Sequence, residues 1–78
     1  MRTLRLNSTG SEVTTLQEAL TRKGYTVNAT GSFDQATDTA VRQFQHDNHL
    51  GADGIVGNNT WQCLLDGTPP QPATTFRL

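Results

Sequence analysis

From Val13 onward the apolar residues recur at helical spacing: Val13, Leu16 and Leu20 share one side of a turn, and Gln17, Glu18, Arg22 and Lys23 occupy the rest of it. The pattern predicts a first helix over roughly Ser11 to Lys23. Thr9-Gly10-Ser11-Glu12 has the form of a capping box at its start, and Gly24 supplies a left-handed residue at its end. Tyr25 and Val27 then alternate with polar residues in an extended stretch too brief to make a sheet alone. A second helix is predicted after Gly31-Ser32-Phe33, capped by Asp34, with Ala36, Ala40, Val41 and Phe44 on its inward side, running to about Asn48. Leu50 returns to the core through a loop holding Gly51, Asp53 and Gly54, and Ile55-Val56 reads as a short buried stretch. A third, shorter helix begins at Gly57 or Asn58 and presents Trp61, Leu64 and Leu65. Beyond Asp66, Gly67-Thr68-Pro69-Pro70-Gln71-Pro72 cannot continue a helix and favours extended, solvated backbone. The expected organisation is one domain over 1–66 and a Pro/Thr-rich linker or tail over 67–78.

Composition narrows what such a chain does. With 78 residues and 33% apolar content, nearly every large apolar side chain is needed for one modest core, leaving few to line an oily pocket. Six basic and seven acidic residues are scattered along the chain, so no basic stripe exists to neutralise phosphates. Nucleic acid is therefore not an expected partner. Nor is a membrane, because no apolar run approaches the roughly 20 residues of a bilayer span and no Lys/Arg-rich amphipathic face is present. Cys63 is the single cysteine and cannot close an intrachain disulfide. Met1 to Leu6 alternates charged and apolar residues, which is not a signal peptide.

The chain also repeats itself. Gly31-Ser32-Phe33-Asp34-Gln35-Ala36-Thr37 is echoed at equal spacing by Gly54-Ile55-Val56-Gly57-Asn58-Asn59-Thr60, and Leu16-Gln17 is echoed by Phe44-Gln45. Each copy carries a turn glycine, a buried apolar residue, a helix cap and a threonine inside the helix. The expected fold is all-α, a compact three-helix bundle with a pseudo-duplicated helix-turn-helix unit whose halves bury each other's apolar faces.

At these residues the sequence resembles a known family. Leu16, Gln17 and Leu20, then Gly31 and Phe33, then Thr37, Ala40, Val41, Phe44 and Gln45, then Asp53-Gly54-Ile55-Val56-Gly57 with Thr60-Trp61, follow in order and spacing the pattern of the peptidoglycan-binding-domain family of cell-wall modules. The likeness covers roughly Leu4 to Leu65. Matrix metalloprotease propeptides look similar too, but no cysteine-switch motif follows the third helix here. Two departures stand out: Asp34 where glycine is frequent, which an N-cap tolerates, and His49-Leu50 where Gly-Leu is common, which predicts a less sharply turned end to helix two. The resemblance implies a non-catalytic, monomeric domain that needs no cofactor and attaches muramidases, amidases or phage endolysins to their polymer. Its implied partners are the glycan strand and stem peptide of peptidoglycan and a covalently linked C-terminal catalytic domain. Its implied place is the periplasm or extracellular cell wall of a bacterium or a phage-infected one.

Amide-rich and hydroxyl-rich ligands call for side chains that both donate and accept, placed near helix ends and loops. Tyr25, Gln45, Asn48, Asp53, Asn58, Asn59 and Gln62 are the candidate peptidoglycan contacts. Gln17 and Gln45 admit a second reading, since a glutamine beside a core residue in both repeats suits tying a helix to a neighbouring loop. Asp53-Gly54 likewise reads first as a turn device. Thr37 and Thr60 read as intrahelical hydroxyl caps, and Trp61 as core before sugar platform. His46, His49 and Cys63 lack the context of a zinc site, and the residues before Gly54 fail the calcium-loop ladder. No two carboxylates are framed for glycosidase chemistry, and no catalytic residue is assigned. A protein–protein module using the same helical surface is the alternative function, and a small hydrolase the third.

Overall fold

The computed structural model describes residues 3–65; the proposed linker over 67–78 lies outside the described residues, as do positions 1, 2 and 66. Three helices form, α1 (Ser11–Arg22), α2 (Gln35–Asp47) and α3 (Asn58–Leu65). Among the described residues no strand forms, and the connecting segments pair in two isolated antiparallel bridges, Leu4 with Val56 and Thr9 with Ser32. The architecture is the expected all-α one, with α1 packed against both α2 and α3.

The core draws on every segment. Val13, Leu16, Ala19 and Leu20 come from α1, Val41 and Phe44 from α2, Trp61 and Leu64 from α3, and Leu4, Phe33 and Val56 from the connections. Burial of each larger side chain contributes roughly 1.5–3 kcal/mol, so the two bridges matter chiefly because they seat Leu4, Phe33 and Val56 over the helices. Trp61 is 3% exposed and is core.

Several sequence expectations shift by a turn or a face. α2 does not turn Ala36 inward: its buried side runs through Thr37, Asp38, Val41, Phe44 and Gln45, so three polar side chains occupy interior positions. Ile55 and Leu65 stay exposed while their neighbours Val56 and Leu64 are buried. The α1 start is not a capping box. Gly10 is its N-cap, with no side-chain capping bond, and the backbone of Thr9 pairs with Ser32 instead. Asp34 caps α2 as expected, its Oδ1 accepting from the Thr37 N–H at 3.0 Å.

Both longer helices end in one motif. The Gly24 N–H donates to the Thr21 carbonyl and the Tyr25 N–H to Leu20; after α2, the His49 N–H donates to His46 and the Leu50 N–H to Gln45. These are the paired bonds of a Schellman turn, which needs a left-handed residue past the helix. Gly24 meets this at φ 97°, and His49 at φ 60°. The end of α2 is therefore turned as sharply as that of α1, against the sequence expectation, with histidine held where its Cβ is unfavourable. His49→Gly should stabilise the fold by about 1 kcal/mol, raising the thermal midpoint by roughly 5 °C in a melting experiment.

Candidate functional site

The site is built on two buried glutamines. Gln17, on α1, is fully buried; its Nε2 donates to Thr37 Oγ1 (3.0 Å), the Ser32 carbonyl (2.9 Å) and Thr30 Oγ1 (3.3 Å), and its Oε1 accepts from the Gly31 N–H (2.9 Å). Gln45, on α2, repeats the arrangement. Its Nε2 donates to Thr60 Oγ1 (3.2 Å), the Ile55 carbonyl (2.9 Å) and Asp53 Oδ1 (3.3 Å), and its Oε1 accepts from the Gly54 N–H (3.0 Å). Thr37 and Thr60 are thus acceptors for a neighbouring helix, and the expectation of intrahelical caps misses this role. Each glutamine holds the loop that follows its helix in one shape.

Superposing the repeats on this shared frame shows where they part. With Gln17 placed on Gln45, Gly10, Thr14 and Glu18 fall on Asp38, Arg42 and His46; with Gly31 on Gly54, Ser32 falls on Ile55. The contacts agree with that register: a Cβ at Gly31 would meet Thr14 Oγ1 and the Gly10 carbonyl, and one at Gly54 would meet Asp38 Oδ1 and Arg42 Nε. The scaffold is common to both halves. The side chains laid over it are not.

Over the second repeat lies a surface groove of about 850 Å³. The outer face of α2 supplies one wall through Gln35, Asp38, Thr39, Arg42, Gln43 and His46, at a spacing that stacks them along the helix. Arg5 and Leu6 come from the N-terminal segment, and Asp53, Gly54 and Ile55 from the glutamine-held loop. Asp38, its side chain 10% exposed, receives the Arg42 Nε at 3.0 Å and the Gln35 amide at 3.4 Å. Arg42 also reaches the Ala52 carbonyl at 3.4 Å through Nη1, so its guanidinium is held at two points while the side chain remains 53% exposed. Leu6 and Ile55 add apolar shoulders, 41% and 39% exposed.

One end of the groove adjoins a smaller polar cluster. The Tyr25 hydroxyl donates to Asp47 Oδ2, Gln43 donates to Asp47 Oδ1 at 3.1 Å, and the Tyr25 ring stands edge-on to Phe44 with centroids 5.8 Å apart. Burial, then the Asp47 hydrogen bond and charge, push the Tyr25 hydroxyl up to about 12. The Tyr25 and Gln43 hydrogen bonds hold the Asp47 carboxyl below its ordinary value, and the Thr37 N–H and hydroxyl do the same for Asp34. Carboxyls lowered in the folded state stabilise it above their ordinary value of 3.8 and lose that contribution as pH falls through the lowered one. The melting midpoint should be level from neutral pH down to about pH 5 and drop below about pH 4, with a shallower drop in an Asp34→Asn, Asp47→Asn double variant.

Of the seven residues named from sequence, only Asp53 lines the groove. Gln45 is 1% exposed with its amide fully engaged, so it shapes the loop and offers a ligand no surface. Asn48 is the α2 C-cap and donates to the Phe44 carbonyl, and Tyr25 is half-buried in the Asp47 cluster. Asn58, Asn59 and Gln62 are exposed on α3, away from the groove lining. The α2 stripe and Arg5 went unnamed, although Asp38-Arg42-His46 at four-residue steps, with no counterpart in α1, was visible as a difference between the repeats.

Residues 9–64 match the protein family described as "Putative peptidoglycan binding domain". A Rickettsia conorii protein named "Putative N-acetylmuramoyl-L-alanine amidase" is 56% identical over 41 residues, 53% of this chain and 15% of that one. The crystal structure of a peptidoglycan-binding protein from Clostridioides difficile, in complex with glutamine hydroxamate, superposes with a TM-score of 0.79 at 41% identity, covering 81% of this chain and 40% of that one. That of the Burkholderia AP3 phage endolysin gives 0.82 at 38% identity, covering 87% of this chain and 26% of the endolysin. This chain thus spans less than half the length of each of these relatives. A family match across all three helices, together with solved relatives of the same fold, leads to one conclusion: the chain belongs to the peptidoglycan-binding domain family.

Proposed function

We propose that the module holds peptidoglycan in the groove along α2, performs no chemistry itself, and serves to concentrate a linked lytic enzyme on the cell wall, in the periplasm or outside the cell. The observation that carries this reading is the divergence of the two repeats. Both keep the Gln-Gly-Thr frame, but the second sets a held guanidinium, amides and apolar shoulders around an open groove, where the first has Gly10, Thr14 and Ser32 at the matching positions. Non-catalytic action is supported by how the groove carboxylates are used: Asp38 is tied to Arg42 and Gln35, and Asp53 accepts from the Ile55 N–H and the Gln45 amide. Cys63 packs against the core, which suits a structural thiol. A catalytic domain on the same chain is supported by the amidase and endolysin relatives, of which this chain matches 15% and 26%. Tethering at an effective concentration of roughly millimolar makes even a weak module useful to such an enzyme. Asn58, Asn59 and Gln62 on α3 remain further candidate contacts, on a face apart from the groove.

Sedimentation with purified sacculi tests the reading. The chain should pellet with sacculi and leave their turbidity unchanged. Ile55→Asp should cut retention roughly tenfold, because a carboxylate there replaces an apolar contact beside existing acids. Ser32→Asp, at the matching position of the first repeat, should retain fully. Clearing of the suspension would make the module an enzyme. Absent retention, beside tight binding to a soluble protein, would make it a protein–protein module.

A further inference from the structure

We infer that the groove reads the free carboxylates of the wall's short peptides and not its sugars; this rests on the groove being the peptidoglycan site. Sugars are gripped through their C–H faces by exposed rings, and this groove offers none. Phe33, Phe44 and Trp61 are 1%, 2% and 3% exposed, and Tyr25 is half-buried outside the groove. No other Phe, Tyr or Trp falls among the described residues. What lines the groove is charge, the guanidinia of Arg5 and Arg42 beside the already engaged carboxylates of Asp38 and Asp53. Arg42 is oriented by Asp38 on its Nε edge and by the Ala52 carbonyl, which leaves donors of a planar, pre-set fork at the surface. Arg5 lines the same groove, and no described carboxylate lies within ion-pair distance of its guanidinium. His46, 80% exposed, adds an imidazole. A guanidinium already satisfied by a protein carboxylate would recruit little; Arg5 has no such partner among the described residues, and Arg42, held through Nε and Nη1, keeps Nη2 as its further donor. The first repeat is an internal contrast. There Thr14 and Glu18 replace Arg42 and His46, so the duplicated frame carries the guanidinium once and has a carboxylate where the imidazole stands. Stem peptides bear carboxylates at their C-terminus and on their acidic residue, whereas the glycan offers hydroxyls and acetamides along its length.

The test uses the 78-residue chain bound to sacculi and three soluble competitors: an alanine–glutamate–lysine–alanine tetrapeptide with free carboxylates, the same peptide with both carboxyls amidated, and N-acetylglucosamine oligosaccharides, which carry the glycan's hydroxyls and acetamides and no carboxylate. The free peptide should displace the chain, the amidated one should need at least about tenfold more, and the oligosaccharides should not compete. Arg5→Gln should weaken displacement by free peptide about tenfold without moving the melting midpoint, and should leave the amidated peptide unaffected. Retention by sacculi with equal competition by both peptides, or with competition by the oligosaccharides, overturns the carboxylate reading and leaves the wall-binding one standing. No retention by sacculi overturns both.

Discussion

Gln45→Leu should leave this protein largely unfolded at temperatures where the parent is native. The substitution nearly conserves volume and keeps the position apolar, so simple burial arithmetic forecasts a neutral or favourable change. The hydrogen bonds forecast the opposite. Removing the amide strips the Gly54 N–H of its acceptor and the Ile55 carbonyl and Thr60 hydroxyl of their donor, in a region closed to water. Each buried polar group left alone costs about 1–3 kcal/mol, and together they should cost about 3–5 kcal/mol. For a domain of this size that is a fall of roughly 15–30 °C in the thermal midpoint. Total stability is commonly only about 5–15 kcal/mol, so most of the margin disappears. Gln17→Leu should do the same, because its four bonds are the same bonds in the other half. Gln45→Glu should be no better. It can still accept from Gly54, but it presents a carboxylate to three acceptors, the Asp53 carboxylate among them, and keeps a charge in the interior. A loss under about 1 kcal/mol in either leucine variant, measured by denaturant unfolding, would show that the loops hold their shape without the glutamines.

Those glutamines also mark how far the sequence can be read. Helical spacing of Val13, Leu16 and Leu20, the Asp34 cap and the recurring Gly-x-Phe and Gly-x-Val segments placed all three helices and the core, because each is a local signal with one dominant physical cause. The inward phase of α2 was less legible. Thr37, Asp38 and Gln45 are polar, so hydrophobic periodicity alone put Ala36 inside in their place, and only the partners supplied by α1 and the loops make the polar phase favourable. His49 misled for a related reason: local preference disfavours a left-handed histidine, but the two Schellman bonds and the return of Leu50 to the core override it. The groove was hidden because its walls come from positions 5–6, 35–46 and 53–55, which no local window joins. Amide side chains near helix ends drew attention to α3, whereas the cavity belongs to charged residues along the middle of α2.

Gly54→Ala joins the fold and the site in one measurement, and it should cost about 3 kcal/mol although only a methyl group is added. Backbone conformation accounts for part: at φ +79° an L residue loses roughly 1–2 kcal/mol. Space accounts for the rest. The new Cβ would stand 2.6 Å from Asp38 Oδ1 and 3.0 Å from Arg42 Nε, and neither can yield cheaply, since Asp38 is a short buried side chain already holding Arg42 and Gln35. Gly10→Ala and Gly24→Ala provide the comparison. Both sit at positive φ, at 124° and 97°, but a Cβ there meets no heavy atom within 4 Å among the described residues. Gly24→Ala should show the backbone cost alone, about 1 kcal/mol, in the same urea titration, and Gly10→Ala a larger one, because φ 124° with ψ −178° is a region that essentially only glycine occupies. The difference between Gly54→Ala and Gly24→Ala, about 2 kcal/mol, measures the crowding against the Asp38–Arg42 pair. Relief of that crowding must swing Arg42 off its Asp38 edge, so the fraction of Gly54→Ala that remains folded should also bind sacculi more weakly, whereas Gly24→Ala, outside the groove lining, should bind as the parent does. Equal stability losses at Gly54 and Gly24 would mean that Asp38 and Arg42 move freely, and a groove with mobile walls would no longer explain selective binding.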